Sequence, residues 1–191
     1  MSTQPKHLLT PEEYLEIERN AELKSEYYRG EMFAMAGATE VHNLLVANLL
    51  RDLGVQFRSR PCRVYANDLR VRAGNSNLYT YPHVVALCGK PEFLDGKLDT
   101  LLNPNLLIEV LSPSREGYDR GLKFEMYRSI ESLTEYLLVS SDRVHIDLYA
   151  RQADGRWLLT SVSRPEESLE LRSVACRIMV ADVYEKLEFS E

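Results

Sequence analysis

Asn103 to Ser114 reads NPNLLIEVLSPS, a run of aliphatic side chains that carries one carboxylate, Glu109. Leu106, Leu107, Ile108, Val110 and Leu111 have the length and continuity of a strand buried on both faces, and Pro113 marks its end. An ionised carboxylate left alone in such a strand is costly or takes up a proton, so it usually has a cation, a metal or a hydrogen-bond donor beside it. Glu109 therefore reads as a metal-binding or acid/base residue at the end of a central strand. The alternative is a strand-end Glu that points at water or pairs with a basic side chain.

Working outward, Tyr79 to Cys88 (YTYPHVVALC) is another near-continuous apolar strand, interrupted by Pro82 and His83. With a period of two, His83, Val85 and Leu87 share one face, as do Leu107, Glu109 and Leu111. If the two strands are neighbours in suitable register, His83 meets Glu109. Lys90 to Pro104 between them is a polar loop, either a rim to a site or plain surface. Beyond Ser114, Tyr118 to Ile130 is expected to be helical, with Leu122, Met126 and Ile130 along one face and Arg120, Lys123 and Tyr127 on an adjacent stripe. Lys123 either looks back at the strand ends or is solvated.

Nearer the amino terminus, Thr10, Pro11 and Glu13 form a helix start with a capping box. Tyr27 to Ala36 reads as a strand entered through a turn at Gly30, with Glu31 at its start and Met32, Phe33 and Met35 available for the core. Thr39 opens a helix to about Phe57 on which Val41, Leu44, Leu45 and Leu49 recur. His42 in its first turn either caps and packs or sits near an anionic ligand. Cys62 to Arg72 is a strand whose alternation changes phase near Asn67 and Asp68, which predicts a β-bulge there or a strand that leaves the core. A GNSN turn (74–77) separates it from Tyr79. Leu133 to Ser140 is a further strand. Val144 to Tyr149 and Arg156 to Val162 make a hairpin about Asp154 and Gly155, with His145 and Asp147 expected on its wet face. Leu169 to Leu187 closes the chain with a short strand and a helical turn.

The chain has 191 residues, 45% hydrophobic and 27% charged, with a net charge of −6. One soluble globular domain (1–191) is expected, with a core over about 10–142 and a hairpin and tail over 143–191. The acidic balance argues against a nucleic-acid coat protein but leaves room for a local basic groove. Cys62, Cys88 and Cys176 are widely spaced and odd in number, which suggests buried free thiols in a reducing cytosol. MSTQPKHLLT lacks the apolar core of a signal peptide and no segment is long enough to span a membrane. A cytoplasmic location is expected.

Seven stretches, TPEEYLEIER, SEYYRGEMFAMAGATEVHN, CRVYANDLRVR, YTYPHVVALCG, LLNPNLLIEVLSPS, YDRGLKFEMYR and EYLLVSSD, run in order from Thr10 to Asp142. Together they resemble the Uma-two family of restriction-endonuclease-like proteins, a branch of the PD-(D/E)XK nuclease superfamily. The resemblance implies an α/β (α+β) fold: a restriction-endonuclease-like core with a central mixed β-sheet flanked by helices, here with an added carboxy-terminal β-hairpin. It also implies a DNA endonuclease in which strand-borne acids bind magnesium and a Lys assists the attacking water, chemistry that needs hard oxygen ligands and a Lewis acid. Carried over, Glu109 matches the Glu of the ExK motif. Leu111 stands where the motif has Lys, so Lys123 from the next helix takes that role. Asp68 and Glu31 match recurrent acids and are expected as additional metal ligands or as acids that support them. Glu109, Lys123 and Asp68 are the catalytic set; Glu109, Asp68, His83 and Glu31 are the metal set.

One position departs from the family. Members carry Asp after the Pro, and here Pro82 is followed by His83. Neutral imidazole suits manganese, zinc or another transition metal better than magnesium. The resemblance therefore leads either to a weakened or inactive nuclease or to one using a transition metal. Arg70, Arg72, Arg115 and Arg120 are expected to contact phosphates of duplex DNA, and a homodimer is expected by analogy with enzymes that cut both strands. A non-catalytic descendant that binds nucleic acid or a protein partner is the alternative.

Overall fold

The computed structural model describes residues 8–74 and 77–189. Residues 1–7, which include most of the stretch read for a signal peptide, and Asn75 and Ser76 of the GNSN turn lie outside them. Helix α1 (Pro11–Asn20) starts on the expected capping box, with Glu13 N–H donating to Thr10 Oγ1 at 3.2 Å and Thr10 N–H to Glu13 Oε2 at 2.8 Å. The expected strand through Gly30 is instead a hairpin, β1 (Ser25–Tyr28) and β2 (Glu31–Ala34). Its two turn residues, Arg29 and Gly30, have φ of 48° and 92°. Positive φ at both positions suits the right-handed twist of a tight hairpin. A Cβ on Gly30 would lie 2.7 Å from Leu8 Cβ, so the position is closed to larger residues.

Helix α2 (Glu40–Phe57) follows its Thr39 cap as expected and buries Leu45, Leu49, Leu53 and Phe57. Next come β3 (Cys62–Ala66), β4 (Arg70–Ala73), β5 (Leu78–Thr80), β6 (Val84–Cys88), β7 (Thr100–Leu101) and β8 (Leu106–Leu111). A helical segment is made of α3 (Glu116–Tyr118), a π-turn (Asp119–Lys123) and α4 (Phe124–Tyr127). Strands β9 (Glu135–Ser140), β10 (Ile146–Arg151), β11 (Trp157–Val162), β12 (Ser168–Leu171) and β13 (Cys176–Met179) and the short α5 (Val180–Val183) complete the chain.

The fold is mixed α+β with two principal sheets rather than one. A six-stranded sheet runs β11-β10-β9-β8-β6-β3, a five-stranded sheet runs β2-β1-β5-β4-β7, and β12 and β13 form a separate hairpin. Each of the two long strands read from the sequence is divided between the sheets. After Ala66 the chain turns, with Asp68 N–H donating to Ala66 O at 2.8 Å, and resumes as β4 in the other sheet. The phase change near Asn67 therefore marks a change of sheet, not a bulge. The second division falls at Tyr81–His83, where Pro82 has no N–H to continue a ladder.

Strand β8 is buried at every residue. Leu106, Ile108 and Val110 face α2 and the β12–β13 hairpin, while Leu107 and Leu111 face the cluster that holds Met126, Tyr127 and Tyr136. Glu109 shares the second face by strand alternation.

Cys62 and Cys88 are not free thiols. They are directly opposite in the antiparallel β3–β6 ladder and form a disulfide, which leaves Cys176 as a buried free cysteine. The odd count concealed a pair that only strand register brings together. Denatured, non-reduced protein is expected to take up one maleimide by mass spectrometry, and three after reduction.

Arg70, expected at a phosphate-binding surface, is only 3% exposed. Its guanidinium lies near the rings of Tyr14 and Tyr81, donates to Asp99 Oδ2 at 3.0 Å and retains a buried Nη1 without a partner. Arg19 donates to the same carboxylate, and these bonds outweigh burial to hold the Asp99 carboxyl at about 2. A carboxyl depressed on folding stabilises the protein above its unfolded value near 3.8 and loses that contribution as pH falls toward about 2. Asp99→Asn is expected to lower the Tm by a few degrees at pH 7, with the difference from the parent closing at the acid end of thermal scans.

Candidate active site

The β6–β8 register pairs Val84 with Ile108, so the next residues outward, His83 and Glu109, face each other. The sequence pattern anticipated this meeting. Glu109 has no exposed surface, and its Oε2 lies 2.5 Å from His83 Nδ1. The Val110 N–H also lies 3.0 Å from that nitrogen. That N–H donates to Nδ1, so the ring nitrogen meets a backbone donor and the Glu109 carboxylate together, and its contact with Oε2 is an ion pair when the ring is protonated; the His83 backbone N–H also donates to Oε2 at 3.4 Å. The other oxygen, Oε1, accepts from Tyr127 Oη at 2.9 Å and pairs with Lys123 Nζ at 2.8 Å.

Lys123 comes from the π-turn. One wider turn shifts the helical phase, so Asp119 and Lys123 are buried while Leu122 is 37% exposed. A regular helix would have turned Leu122 inward, as the sequence periodicity suggested. Such turns often occur at functional sites. The ammonium has three carboxylates around it: Glu109, Glu26 at 3.2 Å and Asp119 at 3.6 Å.

Glu26 belongs to β1 of the other sheet. The β1–β5 register pairs Tyr27 with Tyr79, which sets Glu26 opposite Thr80, and the Thr80 hydroxyl donates to Glu26 Oε1. Glu26 Oε2 receives Arg115 at 3.3 Å; the Arg115 side chain is 45% exposed and lies at the edge of the cluster. His42, in the first turn of α2, presents its ring edge-on to His83 with centroids 4.3 Å apart, and its Nδ1 is buried without a partner.

The charges settle one another. Burial alone would raise the Glu109 carboxyl, but Lys123 and His83 hold it well below the usual range. Burial would lower Lys123, yet Glu109, Glu26 and Asp119 keep it well above its ordinary value. Burial and the Glu109 charge push Asp119 up to about 6, and burial with His83 pushes His42 down to about 4.

Of the residues read from the sequence, Glu109, Lys123 and His83 come together and Arg115 joins them through Glu26. Asp68 is exposed and paired with Lys24 at 2.6 Å, away from Glu109. Glu31 sits opposite Tyr28 in the hairpin ladder. Arg120 is tied to Glu116 and Asp147, and Arg72 has a buried Nε without a partner. Asp147, expected on a wet face, is 3% exposed because Arg120, Ser161 and His145 enclose its carboxylate. Glu26 was missed. The signal available was the Arg29–Gly30 turn, which makes Ser25–Tyr28 a strand.

Among the described residues no group of three or more His, Cys, Asp or Glu side chains is arranged to hold a metal ion. The donor set explains this. Both Glu109 oxygens already accept hydrogen bonds, Oε1 from Tyr127 with Lys123 beside it and Oε2 from the His83 backbone N–H, and Glu26 is taken by Lys123, Thr80 and Arg115. Oε2 and Nδ1 at 2.5 Å are also closer than the roughly 2.9 Å between adjacent ligands of an octahedral magnesium ion. The residues present do not fit magnesium.

Lys123→Met removes the cation shared by the buried carboxylates of Glu109, Glu26 and Asp119 and is expected to cost about 3–5 kcal/mol. Adding Glu109→Gln removes one stranded charge, so the double variant should be more stable in denaturant melts than Lys123→Met alone. A double variant that is no more stable would show that the ion pair is not what holds the cluster.

A family profile described as "Uma2: Putative restriction endonuclease" matches residues 11–179. Two Synechocystis proteins, both named as uncharacterized, are similar along most of their length. For sll1609 the identity is 37% over 163 residues, 85% of this chain and 92% of the relative. For slr1290 it is 36% over 181 residues, 95% of this chain and 94% of the relative. The crystal structure titled as a putative nuclease of DUF820 from Anabaena variabilis superposes with a TM-score of 0.76 at 16% identity, covering 92% of this chain and 97% of that one. That likeness concerns the fold.

Proposed function

The chain belongs to the Uma2 family of putative restriction endonucleases, and from that premise we propose that it acts on nucleic-acid phosphodiesters at the Glu109 cluster, with magnesium-dependent cleavage of duplex DNA suppressed by His83. One observation carries the reading. A wholly buried Glu109 at the end of a central strand is bonded to Lys123 from the following helical segment, the carboxylate and lysine pairing that the family resemblance implies. What stands against magnesium is local. Lys123 and Arg115 already occupy oxygens of Glu26 and Glu109, Asp119 also faces Lys123, and His83 adds no further anion. An Asp at position 83 would face Glu109 across the β6–β8 ladder and add the anion that hard divalent ions favour. Arg115 is the partly exposed cation tied to the cluster and is the side chain proposed to meet a phosphate.

Supercoiled plasmid nicking with magnesium or manganese tests this reading on the parent, His83→Asp, and His83→Asp combined with Glu109→Ala. The parent is expected to leave plasmid intact with magnesium, His83→Asp to nick it, and the double variant to be inert. Cleavage by the parent with manganese, lost on Glu109→Ala, would make His83 a tolerated ligand. If His83→Asp cuts with neither ion, the nuclease reading fails.

A further inference from the structure

Resting on that phosphodiester reading, we propose that the site takes an unpaired nucleotide, with Phe33 stacking on its base while Arg115 holds its phosphate. The register of the first hairpin motivates the proposal. Phe33 on β2 stands directly opposite Glu26 on β1, and cross-strand partners put their side chains on the same face of a sheet. Glu26 turns its carboxylate to Lys123 and Arg115, so Phe33 lies on the cluster's side of the five-stranded sheet. Its neighbour Met32 points the opposite way and packs with Tyr27 into the small core of Tyr14 and Tyr79. Strand β2 is an edge of that sheet, and Phe33 is 46% exposed, the one exposed aromatic ring among the described residues.

The ligand class follows from that pairing of groups. The half-exposed Arg115 bonds Glu26 Oε2 at 3.3 Å, and its guanidinium lies 5.7 Å from the centre of the Tyr118 ring, two contacts that orient it. A cation and an open aromatic face thus flank one carboxylate. A phosphate is matched by the first and a nucleobase by the second. Stacking on one ring is tolerant of base identity, because every base has a π-face. In a duplex both faces of an interior base are covered by its neighbours, so a base reaches Phe33 only from a single strand, a frayed end or a flipped nucleotide. With the base at the β2 edge and the phosphate at Arg115, the strand is laid along the edge of the Glu109 cluster.

The test uses a labelled single-stranded DNA carrying 2-aminopurine, the RNA of the same sequence, and the DNA annealed to its complement, all in EDTA, with anisotropy reporting binding and 2-aminopurine emission reporting stacking. The single strand is expected to bind more tightly than the duplex and to change its emission on binding. Phe33→Ala and Phe33→Leu are expected to weaken single-strand binding about 5- to 150-fold and to abolish the emission change, with thermal stability held. Phe33→Tyr is expected to keep both. Arg115→Gln is expected to weaken binding and lower its salt slope by about 1. The RNA arm separates a ribose from a deoxyribose ligand, and dependence on Phe33 with either strand supports the proposal. Duplex bound as tightly as the single strand, or Phe33→Leu that matches the parent, would overturn it while leaving the phosphodiester reading in place. A parent that binds no strand also overturns it, and if His83→Asp then fails to nick plasmid the phosphodiester reading falls as well.

Discussion

Lys123 is the tie between the two sheets. Its ammonium pairs with Glu109 on the six-stranded sheet and Glu26 on the five-stranded sheet, while Asp119 approaches from its own π-turn. The three groups nearest the charge are almost fully buried. Each ion taken singly would be costly to remove from water, so each depends on the others being in place. The pairing therefore constrains the relative placement of β1, β8 and the helical segment more sharply than apolar packing can, because hydrophobic contacts tolerate small slips and a buried ion pair does not.

The rest of the architecture serves that junction. Strand β5 lies in one sheet and β6 in the other, and Tyr81, Pro82 and His83 are the entire connection. Thr80, the last residue of β5, bonds Glu26, and His83, just before β6, contacts Glu109, so four residues of chain, Thr80 to His83, carry both contacts. Tyr81 stays buried by donating to Glu18 at 2.8 Å. Beyond the junction, Arg120 links the π-turn to Asp147 on β10, which anchors the helical segment on the far side of Lys123.

Much of the cluster was legible because it rests on two simple periodicities. Period two placed Glu109 on the face of Leu107 and His83 on the face of Val85, and antiparallel register made them meet. Helical spacing put Lys123 and Tyr127 on one stripe. What sequence could not show was the sense of two irregularities. The phase change at Asn67 is the same pattern whether a strand bulges or changes sheet, and only the partner strands decide it. The π-turn reverses the fates of Leu122 and Lys123 without altering composition. Arg70 beside Leu69 and Val71 reads as an outward charge, yet Asp99 and the rings of Tyr14 and Tyr81 give it an interior environment. Cys62 and Cys88 are 26 residues apart and become neighbours only through the β3–β6 ladder.

The exchange of one side chain at position 83 alters the kind of chemistry the cluster can support. With a carboxylate there, the new acid would join Glu26, Glu109 and Asp119 against Lys123 and Arg115, and a hard divalent cation is the usual way to settle such an anionic surplus. With imidazole that further anion is absent, and Nδ1 instead lies against Glu109 Oε2. The buried ion pair survives either way because it does not involve position 83. The tie between the two sheets therefore does not depend on which side chain stands at position 83.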